Sequence, residues 1–473
     1  MIEHHFLILG IALVLGLYLA WNIGANDVAN AMGTSVGSGA LTLKNALIIA
    51  AVLEFCGAFF VGSHVSETIQ SGLINEGIFI NNPKVLVLGM LASLLATGVW
   101  LQIASYYGWP VSTTHCIIGA VVGFGLIIGG FEAVEWDNLS FIASSWIISP
   151  IIGGVISYII FTILRRKVFY THDPVSNTKK LAPILVFFVF SILTSVTLFK
   201  GLSNVNLDLH FSASLGISVL IGLIAALVAY LLLKRVKPPQ REIKNELIKD
   251  LQAQLSLGKV LKHLQRLRAN SEGHIQEEAI ELFSRASDLS KKLESIPSPV
   301  EASEYALVEK IFSYLQIISA CCMAFAHGAN DVANAIGPLA TIFTIVENNA
   351  VIMSAEIPSW ILALGGIGIV IGLATWGWRV IETIGKKLTE LTPSRGFAAE
   401  FGAAFTILFA SKLGLPISTT HTLVGSVLGV GLARGIGALN LSMIREIFLS
   451  WVVTLPAGAI LSVLFYYLFT LML

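Results

Sequence analysis

Two eight-residue stretches of the chain are identical, Gly24 to Ala31 and Gly328 to Ala335, each reading GANDVANA. On a helix, Asn26, Asp27 and Asn30 fall within about a third of a turn of one another, and Asn330, Asp331 and Asn334 repeat that face. Carboxylate and amide oxygens together are hard ligands suited to a small cation such as sodium. Ala25, Ala29 and Ala31 leave the neighbouring backbone accessible, and the adjoining glycines are expected to let the helix break and lend carbonyl oxygens as well. One copy alone would be explained by hydrogen bonds between helices. Two copies, each beside a long apolar run, point to ion binding, because an ionised Asp inside a membrane is costly enough to need a function.

A second pair of motifs carries hydroxyls. Pro110, Val111, Ser112, Thr113, Thr114 and His115 match Pro416, Ile417, Ser418, Thr419, Thr420 and His421. Proline suits a helix start and serine can cap it. The apolar runs that follow predict that each motif opens a helix, whose free N–H groups and positive dipole end suit an oxyanion. Two such ends facing each other would surround a tetrahedral anion. Asp27 and Asp331 beside that anion would repel it unless sodium ions or protons neutralise the site. Cation and anion binding would then favour each other reciprocally, which is the basis of co-transport. The basic residues near the motifs are Lys412 and the histidines, and His115 and His421 read as packing residues that at most tune the anion's protonation.

Further acids lie in apolar surroundings: Glu54 in AVLEFCGAFF and Glu400 in GFAAEFGAAF. They are not equivalent by the repeat, since Leu94 stands where Glu400 would be, and both are expected to serve a cation or a proton. Gln102 is a weaker candidate for the anion site, and Ser105 and Ser411 for the cation site.

The elements that hold these residues must cross a membrane. Of 473 residues, 55% are hydrophobic and 12% charged, and mean hydropathy is +0.81. Too many runs approach the roughly 18–20 apolar residues of a membrane span for one soluble core to absorb them. Ten-residue alternating strands are absent, so the spans are helices. The net charge is zero, which favours no nucleic-acid partner. Cys56, Cys116, Cys321 and Cys322 have neither zinc nor redox spacing, so no disulfide framework, metal site or cofactor is expected beyond the transported ions. The apolar stretch from Phe6 to Ala20 lacks a basic leader and a cleavage motif and is expected to remain as a first span.

Internal repetition sets the architecture. Ala104 to Gly125 aligns without a gap on Ala410 to Gly431, each following its own octet. Repeat 1 is assigned to residues 1–165, two linking spans to 166–234, a charged helical insert to 235–307 and repeat 2 to 308–473. Lysine and arginine after residue 164 (Arg165, Arg166, Lys167, Lys179, Lys180) and after residue 378 (Arg379, Lys386, Lys387, Arg395) place those loops in the cytoplasm. The segments around Glu67, Glu135 and Glu356 are acidic or neutral and suit the outside. These assignments agree if the segments flanking each STTH enter and return as re-entrant hairpins. The repeats are then inverted, with about 12 membrane segments, both termini outside and the insert in the cytoplasm. Inverted repeats with a midplane site are an arrangement of secondary transporters rather than enzymes.

On its paired octets and P-x-S-T-T-H stretches, the chain resembles the inorganic phosphate transporter (PiT) family. The resemblance covers roughly residues 6–165 and 308–473. It implies uptake of inorganic phosphate coupled to sodium, an all-α inverted-repeat fold with two hairpins, a multi-pass location in the cell membrane's lipid bilayer and, often, a homodimer. It assigns cation and phosphate binding to Asp27, Asp331 and the neighbouring asparagines, phosphate binding to Ser112–Thr114 and Ser418–Thr420, and transport-essential roles to Glu54 and Glu400. Proton coupling and sulfate transport occur among similar proteins and stay open as alternatives.

Overall fold

A computed structural model describes residues 5–107, 109, 111–198, 210–236, eight positions between 257 and 267, 273–294, 299–352, 356–378, 381, 391–435 and 441–473. Pro110, most of the insert and the basic residues Arg379, Lys386 and Lys387 lie outside that set. Among the described residues the protein is helical, without a strand and with one isolated bridge, Ile74 to Val134.

The helices of the first half are α1 (His5–Gly37), α2 (Leu43–Val61), the short α3 (Ser63–Ser71), α4 (Pro83–Tyr107), α5 (Thr113–Phe124) and α6 (Trp136–Leu164). Then come α7 (Pro174–Leu198), α8 (Phe211–Lys234) and the charged α9 (His274–Glu294) of the insert. The second half comprises α10 (Pro299–Asn348), α11 (Ser359–Gly372), α12 (Pro393–Lys412), α13 (Thr419–Arg434) and α14 (Leu441–Met472). Nine of the described helices are long and apolar enough to cross a membrane: α1, α2, α4, α6, α7, α8, α10, α11 and α14. Helix α5 is a shorter apolar helix that pairs antiparallel with α4, Gly89 lying against Phe124. Helices α12 and α13 form the corresponding pair in the second half.

Most spans are apolar on every side, as befits helices that meet protein on one side and lipid on the other. Helix α8 shows this at the periphery, where Leu220, Leu223 and Leu227 are exposed. By contrast α9 has a charged face and an apolar one, the pattern of a helix in water.

Packing crosses between the halves. Glycines let the octet helix of each half lie on the second span of the other. A methyl group added at Gly24 of α1 would sit 1.9 Å from the Ile369 carbonyl oxygen of α11, and one at Gly328 of α10 would sit 2.1 Å from the Glu54 carbonyl oxygen of α2. The reciprocal contacts match as well: Gly372 meets Trp21 and Ala25, while Gly57 meets Phe325 and Ala329. Likewise α5 packs Gly119 on Leu455 of α14, and α13 packs Gly425 on Pro150 of α6. Helices α1 and α10 run antiparallel, with Gly16 against Leu339 and the two octets meeting midway.

This packing corrects one expectation. Neither helix breaks at its octet; α1 and α10 run through both. Backbone carbonyls there remain in the helical ladder, and the glycines serve close helix approach instead. The octets can therefore offer side-chain oxygens but not an unwound backbone.

Candidate functional site

Six octet side chains and the two hydroxyl motifs converge where the antiparallel helices cross. Asn26, Asp27, Asn30, Asn330, Asp331 and Asn334 are all buried, as are Ser112, Thr113, Thr114, Ser418, Thr419 and Thr420. The contacts repeat from half to half. Thr113 Oγ1 donates to Asp27 Oδ2 at 2.5 Å, and Thr419 Oγ1 to Asp331 Oδ2 at 2.8 Å. Asn26 Nδ2 donates to Ser105 Oγ at 2.5 Å, and Asn330 Nδ2 to Ser411 Oγ at 3.0 Å. Two further contacts tie the halves together: Asn30 Nδ2 donates to Thr420 Oγ1 at 2.8 Å and Asn334 Nδ2 to Thr114 Oγ1 at 3.3 Å.

The hydroxyl motifs do begin helices. Ser112 and Ser418 are the N-caps of α5 and α13, each accepting from the backbone N–H three residues on, at 3.2 Å to His115 N and 3.2 Å to His421 N. The two starts meet, Thr114 Oγ1 donating to the Ile417 carbonyl at 3.0 Å and the rings of His115 and His421 lying 4.6 Å apart. Trp146 of α6 locks this junction by donating from its indole to the Pro416 carbonyl at 3.0 Å, with its ring 4.0 Å from His115.

The octets differ in one neighbour that sequence reasoning missed. His327, immediately before the second octet, places Nε2 3.0 Å from Asp331 Oδ2 and Nδ1 3.2 Å from Glu54 Oε1. All three side chains are buried. The first octet has Ile23 in that position. The signal was one residue, His in one copy against Ile in the other. Ligand atoms of Asp27, His327 and Asp331 lie within 4.8 Å of one another, close enough to share one ion. Two unit charges at that separation repel by roughly 3–4 kcal/mol at an effective dielectric of about 20, so the pair of carboxylates calls for a positive charge between them. Asp331 Oδ1, Asn330 Oδ1 and Asn334 Oδ1 are buried acceptors with no hydrogen-bond donor among the described residues. Such oxygens are costly to bury unless a cation or a donor meets them.

Other predicted residues sit apart. Glu400 lies in a pocket of its own, where Thr34 and Ser35 of α1 donate at 2.5 Å each, Ser319 of α10 at 2.6 Å and Gln316 at 3.2 Å. None of those four donors was singled out by sequence. Gln102 accepts from Tyr18 OH at 2.8 Å, on α1 about two turns before the octet, and lines a cavity of about 460 Å³ with Trp21, Tyr106 and Trp376. Ser105, the acceptor of Asn26, and Ala25 of the first octet line the same cavity.

The Phosphate transporter family profile matches residues 23–462, which includes both octets and both hydroxyl motifs. The chain belongs to the phosphate transporter family. The transporter is 46% identical over 460 residues to the chloroplastic inorganic phosphate transporter 2-1 of Arabidopsis thaliana, covering 97% of this chain and 71% of that one. It is 46% identical over 459 residues to a Chlamydia pneumoniae relative, 96% of each chain. A solved structure described as the sodium-dependent phosphate transporter superposes with a TM-score of 0.79 at 35% identity, over 98% of this transporter and 100% of that chain.

Proposed function

We propose that this phosphate transporter carries inorganic phosphate by sodium-coupled symport, with the two halves alternating as inverted repeats around the central cluster. The observation that carries the reading is the meeting of two octets and two hydroxyl-rich helix starts in one buried place. Helix starts and threonine hydroxyls supply donors for phosphate oxygens, and the octet oxygens hold the cations that make room for an anion beside Asp27 and Asp331. With Asp331 Oδ1, Asn330 Oδ1 and Asn334 Oδ1 lacking donors among the described residues, sodium is the natural counter-charge on that side. The close relative described as sodium-dependent supports the same ion.

Alternating access is supported by the pairwise packing. Each hairpin, α4–α5 or α12–α13, touches the octet of its own half through a serine and a threonine, and the octet of the other half through a threonine. Movement of either hairpin therefore alters both octets, as a coupled transporter requires. The distribution of lysine and arginine supports the sidedness in this reading, with both termini outside and the insert in the cytoplasm.

The His327 bridge gives one specific reason to keep proton coupling as a second reading, since an imidazole between two carboxylates can take the place of a metal cation. Uptake of labelled phosphate into proteoliposomes separates the two. Sodium symport predicts uptake driven by an inward sodium gradient at equal pH. Uptake that ignores sodium and follows a pH gradient would replace it with the proton reading.

A further inference from the structure

The second hairpin is bonded to both octet helices, and unevenly. Tyr305, Glu309, Phe312, Gln316 and Ser319 recur along one face of α10, on the stretch that leads from the insert to the second octet. Four of the five hold α12. Glu309 accepts from the Ser394 backbone N–H at 2.9 Å and from the Ser394 hydroxyl at 2.8 Å. The rings of Phe312 and Phe397 lie 6.1 Å apart, and Gln316 and Ser319 donate to Glu400. At the far end of α12, Asn330 Nδ2 donates to Ser411 Oγ at 3.0 Å and to the Leu415 carbonyl at 3.1 Å. From α1, among the described residues, the hydrogen bonds to α12 are those of Thr34 and Ser35 to Glu400.

Glu309 supplies what the first turn of α12 lacks. Thr392 stands at the N-cap without a side-chain bond to the turn, Pro393 has no N–H, and Arg395 and Gly396 donate to the Thr392 carbonyl. Ser394 is buried, and its N–H is met by a carboxylate reaching over from α10. A carboxylate suits the positive end of the helix dipole, and its charge-assisted bonds are stronger than neutral ones. Beside this clamp Phe169, just past α6, stacks on Tyr305 at 6.1 Å and on Phe312 at 6.4 Å. The equivalent positions of the first half are hydrocarbon. Counted from the octets and the hydroxyl motifs, Ile8, Ala12 and Leu15 of α1 stand where α10 has Phe312, Gln316 and Ser319, while Leu88, Leu91 and Leu94 of α4 stand where α12 has Ser394, Phe397 and Glu400. Apolar contact is non-directional, whereas a carboxylate bonded to a helix end fixes both register and depth.

We infer that Glu309 is a positioning residue that makes the second hairpin travel with the octet helix α10 as one body. Glu400 alone does not decide which octet helix the hairpin follows, because two of its four donors lie on α1 and two on α10. The Glu309 clamp settles it on the α10 side. Glu309 lies roughly 33 Å along the unbroken α10 from Asp331, so it governs how the hairpin moves and leaves ion binding to the central cluster.

The inference rests on the alternation of the halves proposed above and not on which cation drives it, so uptake of labelled phosphate is measured under whichever gradient drives the parent. Glu309→Gln should lower the maximal rate by about three- to tenfold while the apparent KM for phosphate stays within about twofold. Glu309→Cys combined with Ser394→Cys removes the clamp and should be slower still. Bridging the two thiols with a short bis-methanethiosulfonate, whose spacer replaces the length that cysteine lacks, should bring uptake back to within about twofold of the parent. The parent receives the same reagent as a control, its four cysteines being buried or half-buried. Bridging that stops uptake would mean that α10 and α12 must part, and would overturn the inference. So would a bridged pair no faster than the reduced one, or a Glu309→Gln variant that matches the parent or changes only in KM. If the double variant fails to insert, the rate and KM of Glu309→Gln decide. A parent that does not exchange internal for external phosphate would instead overturn the alternation of the halves.

Discussion

The two octets have the same eight residues and different surroundings. Around the first, Asp27 faces Thr113 and Asn30, and the preceding residue is the apolar Ile23. Around the second, Asp331 faces Thr419 and also His327, which reaches on to Glu54 of the other half. Glu400 adds to the asymmetry, since its four donors come from α1 and α10 and the repeat places Leu94 in the corresponding position. Duplication therefore supplies a nearly symmetric frame, and single-residue departures from it give the two octets different ionisable neighbours.

The sharpest way to break the comparison is to remove one carboxylate at a time. Asp27→Asn and Asp331→Asn should each reduce coupled phosphate uptake by roughly 100-fold, the scale of losing interactions with a buried charge, while insertion into the membrane is retained. Uptake assays beside a surface-expression measurement check this, and normal transport by both variants would remove the cation role from the octets. Next in size is His327→Ile, which gives the second octet the first octet's neighbour. It leaves Glu54 without its bridge and should lower uptake by about 10- to 100-fold with a change in apparent cation affinity. A loss in rate alone, with cation affinity unchanged, would reduce His327 to a packing residue.

Removing hydroxyls should have intermediate effects. Thr420→Val and Thr114→Val are close in volume, and each should raise the apparent KM for phosphate by about tenfold, with a smaller change for sodium. Thr420 makes the shorter cross-half contact, 2.8 Å against 3.3 Å, so its variant should be the more affected. Equal losses for both ions would contradict separate roles for hydroxyls and octets. Gly24→Ala and Gly328→Ala test the frame instead of the site. Both should lower thermal stability, by about 1–3 kcal/mol each, because the added methyl meets a carbonyl of the opposing helix.

A pH-dependent effect that leaves the central cluster untouched lies at a carboxyl between α3 and α4. Burial raises the Glu76 carboxyl from its ordinary 4.5 to about 7. The folded protein then holds that proton more tightly than the unfolded chain, so stability should fall as pH rises from about 4.5 to 7 and level off above. Glu76→Gln should remove that part of the pH dependence of thermal unfolding.

Much of this was legible in the chain because repetition turned weak signals into strong ones. One octet alone is explained by an interhelical contact; two, each followed by a hydroxyl-rich helix start, marked the residues that do converge. The helical spans followed from apolar length alone. What the sequence hid were contacts made once. His327 differs from Ile23 at a single position, and its partner Glu54 lies in another helix of the other half. Thr34, Ser35, Gln316 and Ser319 have no repeat to announce them and converge on Glu400 only through the antiparallel crossing of α1 and α10. The unbroken octet helices were hidden for a related reason. Glycine permits both a break and a close helix contact, and only the opposing carbonyls of Ile369 and Glu54 decide between them.

In the function proposed above, one buried cluster binds phosphate and sodium together and neither well alone. Equilibrium binding of labelled phosphate to the purified protein, measured at fixed pH across sodium concentrations, tests it most directly. Phosphate affinity is expected to rise steeply with sodium, and sodium affinity to rise by the same factor with phosphate. Phosphate affinity at this cluster that is the same with and without sodium would contradict it.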